Sequence, residues 1–296
     1  MESCAVCNSS KDRVRRDLAG VLARRILAPV IRQLRRQSAL RNDYFASAPS
    51  PQNALDIFEG EWYTTLPGQN HALRAGSVDL YADPRLQWAL QEIGDLSGKS
   101  VLELGPLEGA HTYMLEQAGC ASITSIEANP RAYLKCLVLK EVLNLRRAHF
   151  LCGDFIEYLR ADSPKIGFVV ASGVLYHMTD PVELIDLISR VTDCVFIWTH
   201  YYDEAALANK PEIRKKLTSR TPFEYRGFQS SLFRYEYWGS FGLKRFCGGP
   251  HAHAFWMERE AILECLRHFG FSSIATNFEE RDHPDGPAIA LVARKQ

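Results

Sequence analysis

Val101-Leu102-Glu103-Leu104-Gly105-Pro106-Leu107-Glu108-Gly109 is the stretch on which the reading of this chain turns. Lys99 to Leu104 is apolar and partly β-branched, as a buried strand requires. Gly105 and Gly109 allow a tight turn and a close backbone approach. His111 to Ala118 carries helical spacing. A strand, a glycine turn and a helix in that order leave backbone N–H groups at a helix N-terminus, where a polar ligand can be held.

The turn has two readings as a ligand site, besides that of an ordinary strand-to-helix connection. A dinucleotide fingerprint needs a glycine in the middle, so that a pyrophosphate can come close. Leu107 stands there, beside Pro106, and Glu103 adds negative charge where phosphates would sit. The same carboxylate suits a ligand with an amine and a sulfonium. The residues favour S-adenosylmethionine over a nicotinamide dinucleotide.

Outward from the turn, strands and helices alternate, which predicts a parallel sheet covered on both faces. The second strand is Ser122 to Ile126, with Glu127 at its tip, about 20 residues beyond the glycine turn, where a carboxylate grips a ribose diol. The third is Ala148 to Cys152, followed by Asp154 and Phe155, an acceptor for an adenine amine and a ring to pack on it. Asp154 is equally suited to cap the helix from Phe155 to Arg160. The fourth strand, Gly167 to Ala171, runs into Ser172 and then Tyr176-His177. The fifth, Cys194 to Thr199, ends in His200 and Tyr201. Ligands in open α/β sheets bind beyond the carboxyl ends of the strands, and all of these residues fall there.

Glu103-Leu104-Gly105-x-x-x-Gly109, Glu127, Gly153-Asp154-Phe155 and Gly173-Val174-Leu175-Tyr176-His177 resemble the class I S-adenosylmethionine-dependent methyltransferases. With Trp62-Tyr63-x-x-Leu66-Pro67-Gly68 ahead of the domain, the chain is similar to the branch that includes the tRNA wobble-uridine 5-oxyacetate and 5-methoxy methyltransferases. The resemblance covers roughly Phe58 to Tyr202. It implies a Rossmann-like, seven-stranded, mostly parallel sheet with an antiparallel last strand. It also implies S-adenosylmethionine as cofactor, held by Glu103, Gly105, Gly109, Glu127, Asp154, Phe155 and Ser172. The acceptor stays open, because one such fold serves many substrates.

The chain has 296 residues, 46% of them hydrophobic, enough for one large domain with additions. Lysine plus arginine equals aspartate plus glutamate at 35 each, which gives no global pull towards nucleic acid. No apolar run is long enough to span a bilayer and no signal peptide is legible. Scattered cysteines, several in apolar runs (Cys136, Cys152, Cys194, Cys265), fit reduced, buried thiols and a cytoplasmic location. Cys4-x-x-Cys7 lacks a second ligand pair, so no metal is expected. The organisation expected is a basic helical extension and linker at 1–57, a lead-in at 58–98, and the catalytic domain at 99–296 with an insertion at 203–256.

In the extension, Val14, Leu18, Val21, Leu22 and Ile26 recur at helical spacing, with arginines filling most of the other face. Such a basic amphipathic helix fits RNA phosphates, a membrane surface, a docking partner, or simple packing with its charges in water. Asp83-Pro84 marks a helix start before the first strand. The insertion is rich in aromatic residues, including Phe233, Tyr235, Tyr237, Trp238 and Phe241, and reads as an acceptor-binding cap or as a self-packed subdomain. Trp62, Tyr63, Tyr201, Trp238, His251 and His253 are the candidate substrate contacts. His177 is the first candidate for a base, followed by His200, while Tyr176 orients the acceptor, shields the sulfonium, or packs. Three functions result: a methyltransferase for a hydroxyl or amine of a small metabolite, a tRNA-modifying methyltransferase, and a non-catalytic cofactor-binding partner protein.

Overall fold

The computed structural model describes residues 44–68, 72–161, 164–238, 240 and 248–296. The chain divides into two units, Met1–Asn53 and Ala54–Gln296. The arginine-rich helical stretch, Cys4 and Cys7, and Phe241 lie outside the described residues. In the first unit, Ser50 and Asn53 bond to each other at the start of α1 (Pro51–Asp56).

Within the second unit the elements follow as α2 (Pro84–Ile93), β1 (Ser100–Leu104), α3 (Ala110–Gln117), β2 (Ser122–Glu127), α4 (Pro130–Val142), β3 (Ala148–Cys152) and α5 (Phe155–Arg160). Next come β4 (Phe168–Ser172), α6 (Pro181–Val191) and β5 (Cys194–His200). The insertion holds α7 (Glu204–Leu207), α8 (Pro211–Arg214), β6 (Leu217–Tyr225), β7 (Phe228–Glu236) and β8 (His253–Met257). The chain closes with α9 (Arg259–His268), β9 (Ser273–Glu280) and β10 (Ala288–Arg294).

The main sheet has seven strands in the order β3-β2-β1-β4-β5-β10-β9. Strands β1 to β5 pair in parallel, and β10 runs antiparallel to both β5 and β9. This is the expected Rossmann-like sheet. Phe168 to Ala171 are all buried, because helices cover both faces of the sheet. One face packs Leu102, Val169 and Ile197 against α6 and α9; the other packs Val101, Val170 and Phe196 against Leu86 and Ala89 of α2 and Leu115 of α3.

Helix starts follow local chemistry. Asp83, Asn129, Asp154 and Asp180 each accept backbone N–H bonds at the head of the helix they precede. Three of these helices, α2, α4 and α6, begin on a proline. The last helix begins only at Arg259, because Met257 pairs with Leu232 in a strand.

The insertion is a second, antiparallel sheet, β6-β7-β8. Its strand β8 crosses the tips of the main sheet. Phe255 N–H donates to Met178 O just past β4, and Tyr202 N–H donates to Met257 O just past β5. Cys120, Cys136 and Cys265 are buried free thiols. Cys152 is exposed at the tip of β3, against the expectation of burial, because it lies at the outer strand's end. No helix among the described residues is long and apolar enough to cross a membrane.

Candidate active site

The tips of β3, β2, β1, β4 and β5 stand side by side and bring the predicted acids and histidines to one edge. Gly105 sits at φ +66°, and a Cβ there would lie 2.8 Å from Val174 Cγ1, so only glycine fits. Leu107, where the family's second glycine stands, also holds a positive φ of 56°. Its N–H donates to Glu127 Oε2 at 3.1 Å, which ties the strained turn to the tip of β2.

The three acids take different places. Glu127 is nearly buried and accepts the N–H of Leu107 on one oxygen and that of Asn129 on the other. Burial pushes its carboxyl up, and these N–H bonds oppose the rise. Each oxygen keeps a second acceptor position for a diol. Glu103 turns inward, 1% exposed, and accepts bonds from Thr112 and Ser125 hydroxyls. Burial raises its carboxyl as well. It braces β1 against β2 and α3 from beneath the turn. Asp154 is exposed and caps α5 at Ile156 N–H, while Phe155 lies in the core beneath. Phe155 therefore packs against protein. Ser172, half-buried, pairs in register with Trp198.

Glu108 was not singled out in the sequence, yet it is a hub. Only 1% exposed, it accepts the N–H groups of Tyr63 and Thr64, the Thr64 hydroxyl and Lys135 Nζ. Lys135 also bonds Glu61 O, and Glu61 pairs with Arg131. The lead-in segment is thus clipped to the glycine turn and α4. The available signal was an acid inside the turn, with a lysine among the apolar residues of α4.

A second clip joins α2 to the same edge. Asp83 accepts a bidentate Arg85 and Nε2–H of His111, and the Arg85 guanidinium lies 4.2 Å from the Trp198 ring centre. These contacts hold the Asp83 carboxyl well below its usual range despite burial.

Beyond β4 and β5, an aromatic and imidazole group fills the seam under the second sheet. Tyr176 meets His200 edge-on with ring centres 4.6 Å apart. His200 stacks on Trp256 at 5.5 Å, and Trp256 stacks on Tyr235 at 5.0 Å. His200 Nδ1 bonds Gly286 O at 2.9 Å and Pro287 O at 3.3 Å. Carbonyls only accept, so Nδ1 carries the proton and Nε2 keeps a lone pair. Burial, and next the neighbouring His283, push His200 down to about 4. His177 Nδ1 pairs with the Tyr237 hydroxyl, and burial, aided by His200, pushes it down to about 3. Both imidazoles are neutral at pH 7. Gly286 sits at φ +112°, and a Cβ there would lie 2.8 Å from Trp256 Cη2.

The remaining candidates are dispersed. Trp62 is buried, with Nε1 donating to Leu55 O, and is a core anchor rather than a substrate contact. Tyr201 is buried and its hydroxyl donates to Glu279, away from the seam. Tyr63 and Trp238 are exposed. His251 is exposed and His253 half-buried at the start of β8. No metal-binding cluster occurs among the described residues.

Residues 102–193 match a family model described as Methyltransferase domain. Among curated proteins, the tRNA U34 carboxymethyltransferase of Idiomarina loihiensis is 28% identical over 134 residues. That match covers 41% of this chain and 41% of the relative, so it spans about two-fifths of the relative's length. Among solved structures, the N-terminal domain of EvdMO1, determined in the presence of SAH and D-fucose, superposes with a TM-score of 0.62 at 22% identity. It covers 83% of this chain and 95% of that one. Magnesium protoporphyrin IX methyltransferase from Synechocystis PCC 6803, with bound SAH, superposes with a TM-score of 0.52 at 16% identity, covering 83% and 100%. At these identities the structural likeness is one of fold.

Fold and matched model together define the class: residues 102–193 match a methyltransferase domain, and they lie on the seven-stranded Rossmann-like sheet described above. Within that class, its sequence is similar to the branch that contains the tRNA U34 carboxymethyltransferase.

Proposed function

We propose that this chain transfers a methyl group from S-adenosylmethionine to a hydroxyl or amine of a small metabolite. The observation that carries the reading is the seam of neutral imidazoles and aromatic rings at the tips of β4 and β5, covered by β8. The residues present fit the cofactor. The Gly105 turn admits only a bare backbone, and the Glu127 carboxylate offers two acceptor edges beside it. Bound there, S-adenosylmethionine supplies an electrophilic methyl group on a sulfonium.

The protein's own part is positional. Glu127 and the turn hold one partner, and the seam holds the other in line at near-attack distance. The tilted pair of Tyr176 and His177, with ring centres 4.1 Å apart, forms the wall on the β4 side. His200 presents the imidazole nitrogen with a fixed lone pair, so the proton-accepting role falls to it before His177. The free thiols of the described cysteines suit a reducing compartment such as the cytoplasm.

A tRNA substrate is the second reading, supported by the matched relative and by the arginine-rich stretch before residue 42. A labelled-methyl assay against total RNA and a metabolite extract in parallel tests both. Label in the metabolite fraction supports the first. Label in RNA, with affinity falling steeply as salt rises, replaces it with the second. Binding of S-adenosylmethionine with no label in either fraction leaves a cofactor-binding partner protein.

A further inference from the structure

We propose that the seam between β5 and β8 seats the acceptor's reacting group, and that it selects a neutral, hydroxyl-bearing ring compound over an ammonium. This deepens the small-molecule reading above and rests on it. Two polar atoms carry the inference. Trp256 Nε1 is a buried N–H donor with no hydrogen-bond partner among the described residues, in a side chain only 2% exposed. Leaving such a donor unpaired in the interior is costly, and a ligand oxygen would recover that cost. The second atom is His200 Nε2. Its ring's other nitrogen is committed to the Gly286 and Pro287 carbonyls, and Nε2 has no partner among the described residues.

The two rings stack, 12° from parallel with centres 5.5 Å apart, so a donor lacking an acceptor and an acceptor lacking a donor sit on adjacent rings of one wall. The wall is held from both sides. Tyr235 stacks on the far face of Trp256, and Gly286 abuts the indole while its carbonyl fixes the imidazole. A hydroxyl both accepts and donates, so it satisfies Trp256 and His200 together. An ammonium only donates. It would pair with His200 and leave the indole N–H facing another donor. A carboxylate only accepts and would meet the His200 lone pair. The surrounding rings, Tyr176, Tyr235 and Tyr237 among them, suit a flat or ring-shaped body carrying that hydroxyl.

The test uses the full chain and a matched pair of probes, benzyl alcohol and benzylammonium, followed through the indole N–H resonances in nitrogen–proton NMR spectra. Trp256→Phe keeps a ring in the stack and identifies the Trp256 resonance by its loss. His200→Asn keeps a donor near the Nδ1 position and removes Nε2. The expected result is a saturable shift of the Trp256 resonance with benzyl alcohol, weaker binding of benzylammonium, and about tenfold weaker binding of the alcohol to each variant. The proposal is overturned if benzylammonium binds as well as the alcohol, if the alcohol leaves the Trp256 resonance in place, or if both variants bind it at full strength. Thermal melts confirm that each variant folds, and His200→Asn carries the test alone should Trp256→Phe not fold. Calorimetry with S-adenosylhomocysteine separates the two levels of argument. Wild-type protein that fails to bind it defeats the methyltransferase reading, whatever the probes do.

Discussion

Glu127 does two things with one carboxylate. It accepts the N–H groups of Leu107 and Asn129, so it shapes the turn that the cofactor would approach. It also offers the acceptor edges that a ribose diol requires. Replacing it with alanine should weaken S-adenosylmethionine binding by about 1–3 kcal/mol, the usual loss for charge-assisted hydrogen bonds. Calorimetry returning unchanged affinity would contradict the ribose assignment. The melting temperature should fall as well, since two N–H groups lose their acceptor. Glu127→Gln keeps one acceptor oxygen and should fall between. His177 is a different case: its Nδ1 is engaged with Tyr237, so His177→Ala should reduce turnover while leaving cofactor affinity near wild type. Normal turnover in that variant would remove His177 from the site.

At the scale of elements, clips rather than loops decide where the lead-in and α2 sit. Glu108 gathers four donors and pairs with the largely buried Lys135. Removing one member of a buried pair leaves the other charge uncompensated, at a cost of about 3–5 kcal/mol. Glu108→Ala should therefore be among the most destabilising single changes in the domain, and urea unfolding reads it directly. A loss below about 1 kcal/mol would show that the pair is open to water. Strand tips were legible in advance because apolar runs, glycines and capping residues are local signals: Asp83 and Asp154 each announce a helix. The second sheet was legible only as an aromatic-rich insertion. Its strand pairing and its crossing over β4 and β5 depend on contacts between segments far apart in sequence. Trp62 was misread for a similar reason, since an aromatic residue beside the site and one buried under it look alike until Leu55 O is seen to hold its indole.

At the scale of the whole molecule, seating neutral histidines under the second sheet couples the site to stability. Histidine ordinarily titrates near 6.5, while burial holds His200 at about 4 and His177 at about 3 in the fold. Between those values the unfolded chain binds protons that the folded chain refuses. Stability from this source is complete above pH 6.5 and is lost as pH falls towards 4 and below. Glu103 and Glu127 act in the opposite sense. Their raised carboxyls take up protons in the fold first, so they add stability as pH falls towards the ordinary carboxylate range. The net curve mixes both, and a difference between proteins separates them. His200→Asn removes one titrating imidazole and keeps the acids, so its stability relative to wild type should improve as pH drops from 7 to 4. The size follows from the shift: about 2.5 pH units at about 1.4 kcal/mol each gives a relative gain of about 3 kcal/mol. Urea midpoints taken across that range measure it. Parallel curves for the two proteins would mean that His200 titrates as it does in water, and that burial in the seam does not hold it neutral.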